Sequence, residues 1–378
     1  MSTDLRTRLQ PTDLRVLHVD VVTGISVASA PVTVYDDPHL GRRLAGKVLQ
    51  PPPEVLEDPA ATTKWYATDL LEGRLQQSLR DDDHVLDVVT VQEVHDEHGR
   101  PTGAVEILTP FMELGSLFDH WYEGGRLDAR EAVAVVRDAA LGLAAVHDLG
   151  YVHRDVKTPN VFLCRRPDRL HGLIGDLGHA AALGVDGIAE GHPQPNPWIA
   201  PEQMDPKRTA SVVTDLFGLG ACLVDVLRPS LLDGWNQQRR LEAAKRMTEG
   251  HLPLPLRRYA PPPWAPPRVR RLIRSLTKPH PADRSPRTAR DVADALSTPV
   301  PPWRCTDSTA DVFRFEANGS VRVAVAGHRM RRKDQWQVRA VADRGRGERS
   351  VLSGRIPGQY RDTDLKGYFD AALTAWSR

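Results

Sequence analysis

Residues 151–163, YVHRDVKTPNVFL, place an acid, an amine and an amide close together: Asp155, Lys157 two positions on, and Asn160 five positions on. A second carboxylate, Asp176, follows in the apolar frame LIGDLG. Phosphoryl transfer needs this combination. One carboxylate orients a hydroxyl, a cation neutralises charge on the migrating group, and an amide with a second carboxylate holds Mg2+. Only eight of the 50 Lys+Arg residues are lysine, so general positive charge in this chain is mostly guanidinium. A lysine in a chemical setting therefore stands out, because a compact ammonium and a planar fork do different work. Lys157 is one, and Lys47, in the Val- and Leu-rich run RRLAGKVL, is another.

The run from His153 to Asn160 resembles the HRDxKxxN catalytic loop of Hanks-type (eukaryotic-like) bacterial serine/threonine protein kinases, and Asp176-Leu177-Gly178 resembles their DFG triplet. Further parts follow in the family's order. Ala200-Pro201-Glu202 resembles the APE that closes the activation segment. Asp215 in TDLFGLG resembles the buried aspartate that anchors the catalytic loop, and Arg284 in HPADRSP the arginine that pairs with the APE glutamate. These three brace the lobe and do no chemistry, and small-molecule kinases of related fold generally lack the APE and Arg elements. DPHLGRRLAGKVL resembles the second-to-third strand region of bacterial members.

The resemblance implies a kinase that uses ATP and Mg2+ to phosphorylate Ser/Thr hydroxyls of a protein substrate. Asp155 would accept the hydroxyl proton and Lys157 would stabilise the γ-phosphoryl. Asn160 and Asp176 would hold the metal, and Lys47, fixed by Glu72, would hold the α- and β-phosphates. A proline-rich insertion at 51–60 explains the long gap between Lys47 and Glu72. By the same count Gly24, Val32 and Ala45 belong to the nucleotide site, Thr109 is the gatekeeper-like position and 110–113 is the hinge. Ser116 or Asp119 would reach the ribose.

Two parts depart from the family pattern. Counting back from Lys47, the glycines of GxGxxGxV fall on Ile25, Val27 and Ala30, and only Gly24, one residue early, remains. Glycine lets backbone N–H groups approach phosphate closely, so a looser clamp is expected. The activation segment between Asp176 and Glu202 holds no Ser, Thr or Tyr, and Pro195 stands where the family has a threonine. Arg154 cannot meet a phosphorylated loop residue there, and is expected to pair with Asp186 or Glu190 instead.

The elements that must position these residues read as two lobes. LRVLHVDVV, PVTVY, RRLAGKVL, HVLDVVTVQEV and GAVEILTPFM have strand character. TTKWYATDLLEGRLQQSL reads as one helix carrying Glu72, with Leu71, Leu75 and Leu79 on a single face. Residues 114–299 are mainly helical, interrupted by PLPLRRYAPPPWAPP, read as a proline-rich surface loop. The expected class is α+β: a bilobal, protein-kinase-like fold with an N-lobe at 14–113 and a C-lobe at 114–299. A linker at 300–310 then leads to a small α+β domain at 311–378, with a hairpin turn at Asn318-Gly319.

Composition narrows the class further. With 50 basic against 49 acidic residues and 40% hydrophobic content, the chain is neither disordered nor a nucleic-acid coat. No apolar run approaches the roughly 20 residues of a membrane span, and MSTDLRTRLQ has no signal-peptide core, so a cytoplasmic, membrane-free protein is expected. Cys164, Cys222 and Cys305 are too scattered for a disulfide framework or zinc module. Residues 304–378 carry 15 Arg/Lys against 9 Asp/Glu. That surface suits an acidic partner or nucleic acid, although a solvated basic face is the simpler reading. Two rival functions share these features: a pseudokinase scaffold, and a kinase for nucleic acid or small molecules presented by the C-terminal unit.

Overall fold

A computed structural model describes residues 15–17, 32–37, 41–69, 71–122, 127–227, 231, 235–308, 312–330, 335–345, 347–357 and 362–376. Gly24 and the rest of the degenerate glycine-rich stretch lie outside the described residues.

Strands β1 (Arg15–Leu17), β2 (Val32–Asp37), β3 (Arg42–Leu49), β4 (Thr90–His95) and β5 (Pro101–Pro110) form one antiparallel sheet in the order β1-β2-β3-β5-β4. Helices α1 (Pro53–Leu56), α2 (Pro59–Asp69) and α3 (Leu71–Ser78) lie between β3 and β4. The proline insertion is thus partly helical: Pro53 opens α1, a position where a missing N–H costs nothing. Helix is found on both sides of Leu70, which lies outside the described residues, and α3 turns Glu72 and Leu75 inward. Strand alternation does the rest. Leu44 and Gly46 face one side of β3, while Ala45 and Lys47 face the other. Lys47 lies across from Val32 and Ile107, and Ala45 across from Val34 and Thr109.

The C-lobe begins with α4 (Leu117–Tyr122) and α5 (Ala129–Asp148). A full capping box starts α5, with Asp128 accepting from the Glu131 N–H and the Glu131 side chain accepting from the Asp128 N–H. Its Ala/Val stripe then packs beneath β7 (Val161–Arg165) and β8 (Leu170–Ile174), the hairpin that carries Asn160 at its start and Asp176 just past its end. Short strands β6 (Tyr151–Val152) and β9 (Ala181–Ala182) pair, as do β10 (Ala189–Glu190) and β11 (Thr209–Ala210). Helix α6 (Val212–Leu227) is buried almost throughout, and α7 (Gln237–Thr248), α8 (Pro267–Leu276) and α9 (Ala289–Leu296) complete the lobe. Each fully buried leucine in this core, such as Leu143 or Leu216, contributes ~1.5–3 kcal/mol.

Backbone hydrogen bonds join the two lobes directly. Ile174 N donates to His84 O and Leu86 N to Ile174 O, both at 2.8 Å. Helix α5 comes so close that a Cβ on Gly142 would sit 2.2 Å from His84 O.

Three sequence expectations change. The proline-rich stretch is largely buried, with Tyr259 1% and Ala265 1% exposed and Tyr259 Oη donating to Pro197 O at 2.6 Å. Prolines bring no N–H that burial would strand, so an apolar Pro-rich run is easily covered. The supposed linker is no spacer either. Val300 and Trp303 are buried, Ala129 N donates to Trp303 O, and β12 (Arg304–Ser308) already belongs to the next sheet. That sheet runs β12, β13 (Val312–Ala317), β14 (Arg322–Met330), β15 (Gln335–Asp343), β16 (Arg349–Pro357) in sequence order, followed by α10 (Asp362–Trp376). Its core is continuous with the C-lobe. Trp264 stacks on Phe315 with centroids 5.0 Å apart, Phe369 meets Trp303 edge-on, and Arg270 pairs with Asp370 at 2.5 Å. Finally, Asn318 and Gly319 lie in a four-residue connection between β13 and β14 rather than a two-residue turn. A Cβ on Gly319 would lie 2.6 Å from Trp376 Nε1, so close approach accounts for that glycine.

Candidate active site

Lys47 crosses the cleft. Its Nζ stands 2.9 Å from Glu72 Oε2 on α3 and 2.7 Å from Asp176 Oδ1 of the C-lobe. Two lobes and three elements therefore meet on one amine. Burial pulls the Lys47 ammonium down, but the carboxylates of Asp176 and Glu72 outweigh it and hold the group above its ordinary value. Burial likewise pushes Asp176 up, yet the neighbouring Lys47 charge and hydrogen bond win and bring it to about 2. At Glu72 burial wins, and its pKa is raised despite Lys47.

The sign of the pH effect follows. The folded-state pKa of Asp176 lies below an unfolded value of about 3.9, so the pair stabilises the fold above roughly pH 4. That contribution fades as pH falls towards 2. Lys47→Met is expected to lower stability at neutral pH, and because burial pushes both carboxylates up once the amine is gone, the gap to wild type narrows from above about pH 4 down towards 2 in denaturant titrations. A gap independent of pH would contradict the pairing.

The catalytic-loop residues sit together and are buried: Asp155 4%, Lys157 3% and Asn160 4% exposed. Lys157 Nζ donates to Asp155 Oδ2 at 2.6 Å, and Asn160 Nδ2 donates to Asp155 O at 2.9 Å and to Oδ2 at 3.2 Å. His153 holds the loop from beneath. Its ring bridges Gly175 O (3.0 Å) and Asp155 N (3.3 Å), which assigns the proton to Nε2 and leaves Nδ1 to accept. Asp215 accepts the N–H groups of His153 and Arg154, both at 2.8 Å, and contacts His147 Nε2 at 2.8 Å.

Asn160 and Asp176 fit Mg2+ by donor type. Both side-chain hydrogen bonds of Asn160 use its Nδ2, leaving the amide oxygen for a cation, and Asp176 is a partly exposed carboxylate. Two hard oxygen donors, with the rest supplied by phosphates and water, is how this ion is usually held. Two of the three described non-glycine residues with positive φ flank this machinery: Arg154 at 68° and Asp176 at 56°. Such strain persists only where the surroundings over-determine it.

The activation segment is tied down without a phosphate. Arg154 donates through Nε to His179 O, through one Nη to Glu190 O at 2.8 Å and through the other to Ala180 O at 3.4 Å. The expected side-chain partners are corrected to backbone carbonyls, and Asp186 instead accepts the Ile188 N–H within its own turn. Full phosphatase treatment is therefore expected to leave activity unchanged to within about twofold. Activity lost with phosphate removed from this chain would contradict that reading.

Other sequence candidates fare differently. Ala45 and Thr109 face each other, and the Thr109 hydroxyl donates to Ala45 O at 3.4 Å. Val32 is 44% exposed and opposite Lys47, whereas Val34, 4% exposed, is the residue across from Ala45. Val32 and Val34 are two apart on β2 and so share the face of Ala45 and Lys47. Ser116 is 2% exposed and locked with Asp119 in a cap on α4 (Oγ to Oδ2, 2.7 Å), so only Asp119 faces outward. At the hinge, Arg43 pairs with Glu113 and stacks on Phe111, whose N–H donates to Arg43 O. The sequence also gave no hint of the stacked rings of His179 and His192, 3.9 Å apart. Burial holds both below the usual histidine range, His192 at about 4, so the pair is neutral at neutral pH.

A protein-family model described as "Protein kinase domain" matches residues 61–296, leaving out β3 with its Lys47 and the C-terminal sheet. The chain is 29% identical over 253 residues to serine/threonine-protein kinase PknK of Mycobacterium bovis, covering 63% of this chain and 21% of that protein. It is 29% identical over 200 residues to serine/threonine-protein kinase pkn2 of Myxococcus xanthus (50% and 23%). Over 125 residues it is 32% identical to the serine/threonine-protein kinase/endoribonuclease IRE1b of Arabidopsis thaliana (31% and 14%). The aligned regions thus span less than a third of each of these relatives.

Proposed function

The chain belongs to the protein kinase family, and from that premise we propose that it transfers the γ-phosphoryl group of Mg·ATP to Ser/Thr hydroxyls of a protein substrate. The observation that carries this reading is the Glu72–Lys47–Asp176 contact, which brings an amine of the N-lobe onto the acid that follows β8. Lys47 holds the α- and β-phosphates. Asp155 orients the acceptor hydroxyl and takes its proton as the new O–P bond forms and the bond to the leaving ADP breaks. Lys157, now resting on Asp155, shifts its charge to the γ-phosphoryl. Asn160 and Asp176 hold Mg2+, which neutralises phosphate charge when bound. Lys157 at two residues past Asp155 favours Ser/Thr over Tyr acceptors. No described helix is long and apolar enough to cross a membrane, and a cytoplasmic setting is part of the same proposal.

Incubation with Mg2+, γ-labelled ATP and a mixture of protein acceptors, followed by acid hydrolysis, tests this. Label on phosphoserine or phosphothreonine is the expected result. Nucleotide binding without transfer would point to a scaffold, and label confined to nucleic acid or small molecules would point to a different substrate class.

A further inference from the structure

Arg154 immediately precedes Asp155 and holds a left-handed φ of 68°. That conformation costs a non-glycine residue about 1–2 kcal/mol, so something must impose it. Side chains clamp both backbone polar groups of Arg154. Its N–H donates to Asp215 Oδ1 at 2.8 Å, and its carbonyl accepts from Gln203 Nε2 at 2.9 Å. Gln203 is 2% exposed, and its amide oxygen accepts the His192 N–H at 3.1 Å. One carboxamide therefore joins the catalytic loop to the activation segment. The segment is also pressed onto this residue. A Cβ on Gly191 would lie 2.8 Å from Gln203 Cα and 2.9 Å from its carbonyl oxygen.

The peptide held by Gln203 is the one that leads into Asp155, so its rotation turns the Asp155 carboxylate. No hydroxyl side chain between Asp176 and Glu202 is present to make such a tie, and Pro195 offers no side-chain donor. We infer that Gln203 is a positioning residue: it couples the activation segment to the catalytic loop and fixes the peptide that aims Asp155. The inference rests on the kinase reading for its effect on rate, but not for its effect on loop structure.

Two variants test it. Gln203→Met keeps the volume and removes both hydrogen bonds. It is expected to lower kcat on the order of 10- to 100-fold with KM for ATP changed by less than about twofold. Amide hydrogen exchange should quicken in residues 151–160 and stay unchanged in α6. Gln203→Glu keeps the acceptor for His192 N–H but turns a carboxylate onto the Arg154 carbonyl, and its protonated form donates and restores that bond.

The groups facing position 203 are Arg154 and Asp155 of the loop, Thr214 and Asp215 of α6, and His192 of the segment, while the adjacent Glu202 is paired with Arg284. His192, held at about 4 by burial and by His179 and Arg154, does not titrate near neutrality. The ratio of Gln203→Glu to wild-type kcat should therefore rise several-fold from about pH 8 to about pH 6, while the Gln203→Met ratio stays flat. Wild-type kcat in Gln203→Met, or a pH-flat Gln203→Glu ratio, would overturn the inference. If the wild-type chain transfers no phosphoryl group, the kinase reading fails, and the exchange measurement alone decides: faster exchange in 151–160 supports the tie, and unchanged exchange overturns it.

Discussion

Asp155→Asn is expected to lower kcat by about 10²–10⁴-fold while Mg·ATP still raises the thermal midpoint as it does in wild type. The substitution keeps the shape and an acceptor oxygen for Lys157 and Asn160, so the loop has no reason to move. What disappears is the proton acceptor. Lys47, Glu72, Asn160 and Asp176, which hold nucleotide and metal in this account, are untouched, so binding and turnover separate. A kcat within a few-fold of wild type would remove Asp155 from the chemistry. A lost nucleotide response in a folded variant would mean that Asp155 serves binding instead.

The second large effect concerns the brace beneath the site. Arg284 is 1% exposed and all five of its N–H groups are used: Nε on Lys278 O, and the two Nη on Glu202 Oε1 (2.5 Å), Val213 O, Glu202 Oε2 (2.8 Å) and Pro279 O. Its guanidinium also lies over Phe217 at 5.0 Å. Removing it leaves Glu202 as a buried carboxylate still accepting from Thr214 Oγ1 at 2.9 Å. Arg284→Ala is expected to cost about 3–5 kcal/mol in urea unfolding, and Glu202→Ala a similar amount. Replacing both by apolar residues of like volume should cost much less than the two singles combined, because no charge is then stranded. A loss below about 1 kcal/mol for Arg284→Ala would show that water reaches the pair.

What could be read from the sequence was whatever spacing alone determines. Asp155, Lys157 and Asn160 lie on one short loop, and Asp176 follows one hairpin later, so few ways exist to fold them apart. Glu72 was legible only through the family resemblance, which calls for a glutamate on this helix to pair with Lys47, and α3 does turn it inward beside Leu75. The unread parts depend on partners remote in sequence. The carbonyls that receive Arg154 come from both ends of a loop whose path no local pattern fixes. The buried proline-rich stretch and the packed 300–303 segment look like solvent-facing chain by composition, and only Trp264, Trp303, Phe315 and Phe369 meeting in space makes them core.

The account's central claim is that Lys47, Asp155, Asn160 and Asp176 converge on one nucleotide triphosphate. A crystal structure of the chain with Mg2+ and a non-hydrolysable ATP analogue addresses it most directly. The predicted result is α- and β-phosphates within hydrogen-bond reach of Lys47 Nζ, and a metal ion between the phosphates, Asp176 and the Asn160 amide oxygen. The γ-phosphate should point to Lys157 and Asp155. Nucleotide bound elsewhere, or phosphates in this cleft turned away from Asp155, would contradict it.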